Sequence, residues 1–339
     1  MALRLIEIFI PPKDEYRVKK VLQDLKVLDI WQERFSKDLI HIKILLPIED
    51  TEEVLDLLEK HISRVEGYRI MLFQVEASIP RPEQPEREVP EGEVQPNDQK
   101  PNSKTARISR EELYSDIDTT IKLSKTFILL ALLSSVVAAI GILQNNVPVI
   151  IGAMVIAPLL GPNVAFSLAT TLGDINLAKR ALKANMMGIL TVFSFAAFVG
   201  FIFKFDPNIP EILSRTKVTL GDIVIALAAG SAAALSLTTG VSSALIGVMV
   251  AVALLPPLVV FGMLMGHGEW QLAMGAMLLV LTNLICINLS GVLTFLAHGI
   301  RPRKYGDADR ARKATTVALI LWTFMLILLV LLIVLSQKW

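Results

Sequence analysis

Two stretches of this chain repeat each other. Residues 151–166 read IGAMVIAPLLGPNVAF and residues 246–261 read IGVMVAVALLPPLVVF, and an ungapped offset of 95 residues makes nine of these sixteen positions identical. The same offset places the acidic residue Asp174 on the acidic residue Glu269. Two apolar helices can look alike by composition alone, but that would not make their Gly, Met, Pro and acidic positions coincide. The pattern therefore indicates an internal duplication.

Both stretches lie within long apolar segments. Apolar residues make up 53% of the chain, and beyond about Lys125 they gather into runs of about 20 residues. Runs of that length can cross a hydrocarbon core of about 30 Å. The sequence therefore predicts a multi-pass protein of the cell (inner) membrane, in contact with the lipid bilayer. We expect about seven apolar helices, near 126–143, 148–172, 184–203, 222–239, 244–265, 271–297 and 314–336.

Each copy of the duplication holds three segments, so two spanning copies must have opposite orientations. Basic residues support this arrangement. The loop after the second segment holds Lys179, Arg180 and Lys183, whereas its counterpart at 266–270 holds no Lys or Arg. The loop 299–313 is again rich in Lys and Arg, which favours a cytoplasmic location for it and for the N-terminal domain. We therefore predict an inverted 3+3 repeat followed by a seventh helix.

The first 79 residues have a different pattern. Apolar residues alternate as in strands over 3–10, 27–35, 38–47 and 68–79. They fall on one helical face over 14–25 and over 51–63, where Thr51 is the expected cap. The order βαββαβ predicts a ferredoxin-like domain, giving an α+β chain whose membrane part is all-α. Because this fold serves sensors, metal-binding domains and assembly modules, it assigns no function.

A polar stretch separates this domain from the membrane segments. Residues 80–107 are rich in Pro and Glu and lack an apolar period, which is typical of an extended linker. Residues 108–125 begin with a capping box of Ser109 and Glu112 and predict an amphipathic helix. The predicted parts are the domain 1–79, the linker 80–107, the helix 108–125, membrane repeats 126–203 and 220–297, and a basic loop with the last helix, 298–339.

Prolines occur at related places in the two copies. The first copy carries Pro158, Gly161 and Pro162, and the second carries Pro256 and Pro257. Proline lacks an N–H and clashes with the preceding turn, so each copy is expected to break its helix in mid-segment. Paired breaks in an inverted repeat are typical of a transporter's central site. Kinks that serve helix packing alone are the alternative.

Polar side chains lie near the expected breaks or on neighbouring segments. Amides and hydroxyls could replace a solute's hydration shell, or they could bond one helix to the next. The candidates for a substrate pathway, besides the prolines and Gly161, are Asn163, Asn185, Thr282, Asn283 and Asn288, with Asn163 and Asn283 as first choices.

Charged residues are scarce within the segments. No Asp, Glu, Lys or Arg lies clearly at mid-segment, which argues against a carboxylate proton relay and leaves uniport, channel conduction or backbone-coordinated ions open. Asp174 and Glu269 are expected at opposite membrane faces, either as gates or as acids favoured by a helix N-terminus.

Several function classes find no support in the sequence. The single cysteine, Cys286, excludes an internal disulfide, and no His or Cys spacing suggests a metal site. A net charge of +1 gives no reason to expect a nucleic-acid partner. No nucleophile, base and orienting group can be assembled, so we expect neither an enzyme nor a cofactor.

The stretch IIGAMVIAPLLGPNVAF, followed by LGD with its basic loop and later by ALLPPL, resembles the membrane protein family called domain of unknown function 389. The resemblance covers about 120–300, and its PLLGP and LPPL motifs are fairly specific. Proteins of this family can similarly carry a small soluble N-terminal domain. The family has no assigned activity, substrate or cofactor, so the resemblance supports the membrane assignment alone.

Two hypotheses of function follow. The first is a transporter or channel for an unknown small solute or ion, regulated or assembled by the soluble domain. The second is a membrane-anchored ligand sensor or oligomeric scaffold. Small residues over 228–234 and at Gly240 and Gly247 suit close helix approach, and we expect a homo-oligomer.

Overall fold

The computed structural model describes residues 3–16, 18, 27–62, 67–75, 78, 108–239, 243–300 and 308–336, and of 243–252, 308–314 and 332–336 it describes the backbone alone. The chain divides into two compact units, Met1–Glu112 and Leu113–Trp339. The expected linker at 80–107 lies outside the described residues, as does most of the helix expected at 14–25.

An antiparallel sheet of four strands organises the first unit. Its strands are β1 (Leu3–Ile10), β2 (Asp29–Arg34), β3 (Ile40–Pro47) and β4 (Arg69–Val75), in the order β2-β3-β1-β4. Helix α1 (Thr51–Ile62) follows β3. The four predicted strands and the second predicted helix are therefore confirmed, with strand ends that differ by a few residues.

The core of this unit lies on one face of the sheet. Successive residues of a strand point to opposite faces, so the alternating isoleucines of β1 and β3 share one face. Ile6 pairs with Ile44 and Ile8 with Ile42, and all four are buried together with residues of α1. Thr51 is the first residue of α1, but it is not the expected cap. Its backbone is already helical, with φ −58° and ψ −44°, and its hydroxyl donates to the carbonyl of Pro47. The alternation that predicts the strands thus also builds the core.

The rest of the described chain is helical. Its helices are α2 (Arg110–Thr120), α3 (Lys125–Leu143), α4 (Val147–Ile156), α5 (Leu160–Leu172), α6 (Ile175–Ile202), α7 (Pro210–Leu213), α8 (Leu220–Thr239), α9 (Ser243–His267), α10 (Trp270–Ala297) and α11 (Ala308–Ser336).

Helix α2 is separate from the first apolar helix. The predicted capping bond is present, because the backbone N–H of Glu112 donates to the hydroxyl of Ser109 at 3.2 Å. Helix α2 ends at Thr120, and Ser124 caps α3 by accepting a hydrogen bond from the N–H of Phe127. A new cap begins a new helix, so α2 does not run on into the first apolar helix.

Several helices of the second unit suit a membrane. Helices α3, α6, α8 and α10 are long and apolar enough to cross one, and α4 with α5 makes a fifth span if this bent pair counts as one. Shorter apolar stretches occupy 253–267 in α9 and 315–331 in α11. Large apolar side chains such as Phe201, 81% exposed, cover the outside of these helices. Because lipid tolerates such a surface and water does not, the fold is that of a multi-pass membrane protein.

Small residues allow the helices to approach closely. A Cβ placed on Gly262 of α9 would lie 2.6 Å from the Cβ of Ala196 and 2.9 Å from the carbonyl oxygen of Phe193, both on α6. Gly266, one turn later, packs against the same helix. In α8 the small-residue stretch 228–234 lies against α10 through Gly230. Glycines four residues apart are a common means of helix association in membranes.

Candidate functional site

The first pair of prolines breaks its segment. Helix α4 ends at Ile156 and α5 begins at Leu160, with a bend of 55° between them. Ala157, the residue before Pro158, has φ −66° and ψ 123°, the extended conformation that a following proline favours. Pro162 lies in the first turn of α5, where the missing N–H has no helical partner to lose. The break predicted in the first copy is therefore confirmed.

Three asparagines from three helices meet beside this break. Asn185 of α6 donates from Nδ2 to Oδ1 of Asn163 on α5 at 2.8 Å, and Asn288 of α10 donates to the same oxygen at 3.3 Å. Asn163 in turn donates to Oδ1 of Asn185 at 3.4 Å and to the carbonyl of Leu159 at 2.8 Å. All three side chains are buried. The structure thus brings three of the predicted pathway residues together.

Ser167 completes this group, although it is not one of the predicted pathway residues. Its hydroxyl lies 3.1 Å from Oδ1 of Asn288 and 3.1 Å from the carbonyl oxygen of Asn163, and it can donate to either. Ser167 follows Asn163 by four residues and Thr171 follows Ser167 by four, which forms a polar stripe at the helical period. This spacing is the sequence pattern from which Ser167 could be predicted to lie beside Asn163. We call Asn163, Ser167, Asn185 and Asn288 the asparagine cluster.

The cluster is neutral and bonded internally. Each amide of the cluster both donates to and accepts from another member, so α5, α6 and α10 are joined by hydrogen bonds in an apolar surrounding. Such bonds are strong where water is excluded. Chemically, the cluster can hold these helices together, and its amides can exchange partners with a polar solute.

The second pair of prolines does not break its segment. Helix α9 runs through Pro256 and Pro257 to His267, so the predicted second break is wrong. Pro257 has no N–H to donate to the carbonyl of Ala253, four residues earlier. Asn283 of α10 donates from Nδ2 to that carbonyl at 2.6 Å. A side chain of the neighbouring helix thus replaces the backbone donor that Pro257 lacks.

The side-chain oxygen of Asn283, unlike its nitrogen, is not hydrogen-bonded within the described part of the chain. The residue is 4% exposed. Thr282 beside it is also buried, but its hydroxyl donates to the carbonyl of Leu278 in its own helix at 2.8 Å. We call Ala253, Pro256, Pro257 and Asn283 the proline-pair site. Thr282 adds no interhelical bond to it.

The two predicted gate residues differ. Asp174 caps α6 by accepting hydrogen bonds from the N–H groups of Asn176 and Leu177, each at 2.9 Å. Glu269 is exposed, precedes α10 and makes no side-chain capping bond. A structural role as a helix cap therefore accounts for Asp174.

Asp174 also accepts a hydrogen bond from α2 at the start of α6. Tyr114 of α2 donates its hydroxyl to Asp174 at 3.1 Å, and Arg180 pairs with Asp118 and donates to the Tyr114 oxygen. Burial, together with the negative charge of Asp174, raises the pKa of Tyr114. Tyr114, Asp118 and Arg180 were not predicted, since their pairing depends on how α2 packs.

Metal ligands are not grouped in the described residues. Among them no set of three His, Cys, Asp or Glu side chains could hold a metal ion. Cys286 is a buried free thiol on α10. The polar groups that the membrane helices contribute to the two sites are therefore amides, a hydroxyl and backbone carbonyls.

Comparison with known proteins agrees with the resemblance seen in the motifs. The sequence model of the family described as Domain of unknown function (DUF389) matches residues 154–289, a range that contains the asparagine cluster and the proline-pair site. The chain is 36% identical over 335 residues to the uncharacterized protein MJ0678 of Methanocaldococcus jannaschii, covering 98% of this chain and 99% of that protein. No solved structure matches the chain.

Proposed function

Because the chain belongs to the family of domain of unknown function 389, which carries no assigned activity, we propose a function from the geometry of its two sites. The protein is a transporter or channel for a small solute or ion. The domain of residues 1–79 regulates or assembles it.

One observation carries this proposal. A helix is interrupted in the middle of an apolar segment, and buried amides from two other helices converge beside the interruption at Asn163. Irregular backbone at membrane depth is stable only where protein or a water-filled cavity surrounds it. In transporters such discontinuous helices supply the central binding site. The break and the asparagine cluster together have the composition of such a site.

The proposed architecture extends the described fold. The sheet order β2-β3-β1-β4 supports a ferredoxin-like domain, whose central strands are the first and the third. The seven apolar segments form an inverted 3+3 repeat with one added helix, on the sequence offset that matches Pro162 with Pro257. Basic loops favour a cytoplasmic N-terminal domain at the inner membrane. Assembly is as a homo-oligomer.

A second candidate function has its own support. The asparagine cluster satisfies its own hydrogen bonds, which is what a packing contact between helices requires. A membrane-anchored sensor or oligomeric scaffold would need no more than that. In this alternative the soluble domain binds a ligand or partner and the helices mainly hold the assembly.

Flux measurements separate the two functions. The full chain is reconstituted in liposomes, and uptake of alkali cations, ammonium and small neutral solutes is compared with that of protein-free liposomes. We expect uptake of at least one solute above the protein-free level, and a strong reduction by Asn163→Leu. Asn176→Leu is the matched control, because Asn176 is an exposed asparagine at the start of α6. Absence of uptake for every solute would contradict transport and favour the scaffold.

A further inference from the structure

The proline-pair site contains more hydrogen-bond acceptors than donors. Pro256 and Pro257 remove the two N–H groups that would donate to the carbonyls of Val252 and Ala253 in a regular helix. Asn283 supplies one donor, to Ala253, and brings an unpartnered oxygen of its own. Two oxygens near the proline pair therefore lack a donor. The Val252 carbonyl has no donor in its own helix, and Asn283 Oδ1 has none among the described residues.

The orientation of the Asn283 amide is fixed by its neighbour. A backbone carbonyl can only accept, so the atom that lies 2.6 Å from the Ala253 oxygen must be the donor Nδ2. Turning the amide over would place two oxygens in contact. The unpartnered atom is therefore the oxygen, and its identity does not depend on a choice between equivalent arrangements.

The described hydroxyls on α10 do not supply the missing donor. The hydroxyls of Thr282 and Ser290 on α10 donate to the carbonyls of Leu278 and Ile287 in the same helix. Helices α9 and α10 contain no Lys or Arg in their sequence, so neither helix can bring an ammonium or guanidinium group to the oxygen. A buried carbonyl oxygen without a partner has lost its hydration without compensation, and a bound ligand would recover that loss.

The kind of ligand follows from the groups present. Unpartnered oxygens attract a positive charge and repel an anion. Divalent cations bind through carboxylates, and neither α9 nor α10 carries Asp or Glu. Monovalent cations are bound in membranes by neutral carbonyl oxygens. We propose that the proline-pair site binds a small monovalent cation, an alkali ion or ammonium, with Oδ1 of Asn283 as one of its ligands. This inference deepens the proposed transport function and rests on it.

Replacing Pro257 allows Oδ1 of Asn283 to be tested as a cation ligand separately from the hydrogen bond that Asn283 donates to Ala253. In the Pro257→Ala variant the backbone N–H of residue 257 can donate to Ala253, so Asn283 is no longer needed to complete the helix. Adding Asn283→Leu in that background then removes the proposed cation ligand without leaving the Ala253 carbonyl unpaired. Thr282→Val in the same background is the matched control, because its hydroxyl bonds only its own helix.

Thermal unfolding of the purified full chain measures binding. Lithium, sodium, potassium and ammonium chlorides are titrated against N-methylglucamine chloride at equal ionic strength. We expect a saturable rise in Tm with at least one small cation in the wild type, in Pro257→Ala and in the Thr282→Val control. In Pro257→Ala with Asn283→Leu the half-maximal concentration should rise about tenfold or more, equivalent to about 1.4 kcal/mol.

Other results of the titration overturn the inference. Equal shifts with all salts would mean that no small cation is bound. An unchanged titration after Asn283→Leu would remove this oxygen as a ligand, and loss of the shift in Pro257→Ala alone would assign the ligand to the Ala253 carbonyl instead. Liposome flux of the same variants keeps the two proposals separate. Cation-specific stabilisation without flux would remove transport alone, and flux without such stabilisation would remove this cation site alone.

Discussion

The side-chain amide of Asn283 donates to the backbone carbonyl of Ala253 across 2.6 Å, and this carbonyl is the one that Pro257 leaves without a helical donor. This bond joins α9 and α10 at the proline pair, between residues thirty positions apart in the sequence.

Asn283→Leu should lower the free energy of unfolding by about 1–3 kcal/mol, because a buried carbonyl loses its remaining donor. In the Pro257→Ala background the same substitution should cost clearly less, since a backbone N–H is restored. Denaturation in detergent of both single variants and the double variant measures the coupling. Equal losses in the two backgrounds would show that Asn283 does not act through this carbonyl.

Asn163 is the centre of the asparagine cluster, since its side chain bonds both Asn185 and Asn288. Asn163→Leu should therefore destabilise the protein more than Asn185→Leu. The expected loss is about 0.5–2 kcal/mol, within the range measured for hydrogen bonds between membrane helices. Unfolding of both single variants and of the double variant should be non-additive, because the two residues share a bond. Strictly additive losses would contradict the contact.

Gly262→Ala should destabilise the crossing of α6 and α9 by about 1–3 kcal/mol, because the added methyl would clash with Ala196 and the Phe193 carbonyl. Gly152→Ala is the control. A Cβ at Gly152 on α4 meets nothing within 4 Å, so this helical glycine should gain about 0.5–1 kcal/mol from substitution. Thermal unfolding of the two variants should move in opposite directions. A shift of the same sign and size in both would argue against the close crossing.

Asp174→Ala should cost about 0.5–2 kcal/mol, since it removes the cap of α6. The same substitution at the matched position, Glu269→Ala, should change the free energy of unfolding little, because Glu269 makes no side-chain capping bond. Comparison of the two Tm values checks the difference. Similar losses at both positions would mean that the two acids have equivalent roles.

Much of the fold could be predicted from periodicity. Alternation located β1 to β4, and the apolar runs located the long helices, because burial in a core or in lipid acts on the local sequence pattern. The break at Pro158 could also be predicted, because its cause is local. A proline acts on its own turn of the helix and on the residue before it.

The contents of the sites were predictable only in part. The sequence singles out Asn163, Asn185 and Asn288 as polar residues in apolar segments, but their meeting depends on how three helices pack. The continuity of α9 through Pro257 was not predictable, because its missing donor is replaced by Asn283 on another helix. Ser167 was missed although the helical spacing from Asn163 was visible.

In a transporter or channel, the asparagine cluster lies on a path that water and solute enter, so a cysteine placed there should react with a water-soluble reagent. Ser167→Cys is nearly isosteric, and Cys286→Ala removes the chain's single native thiol. Val192→Cys on α6, buried outside the cluster, is the matched control. Labelling by a small cationic thiosulfonate is measured on the chain in intact liposomes.

If the cluster lines a pathway, Ser167→Cys is labelled well above Val192→Cys, and labelling slows in the presence of the transported solute. If Ser167→Cys reacts no faster than Val192→Cys until the protein is unfolded, the cluster is a dry packing contact and the account of a transport pathway is contradicted.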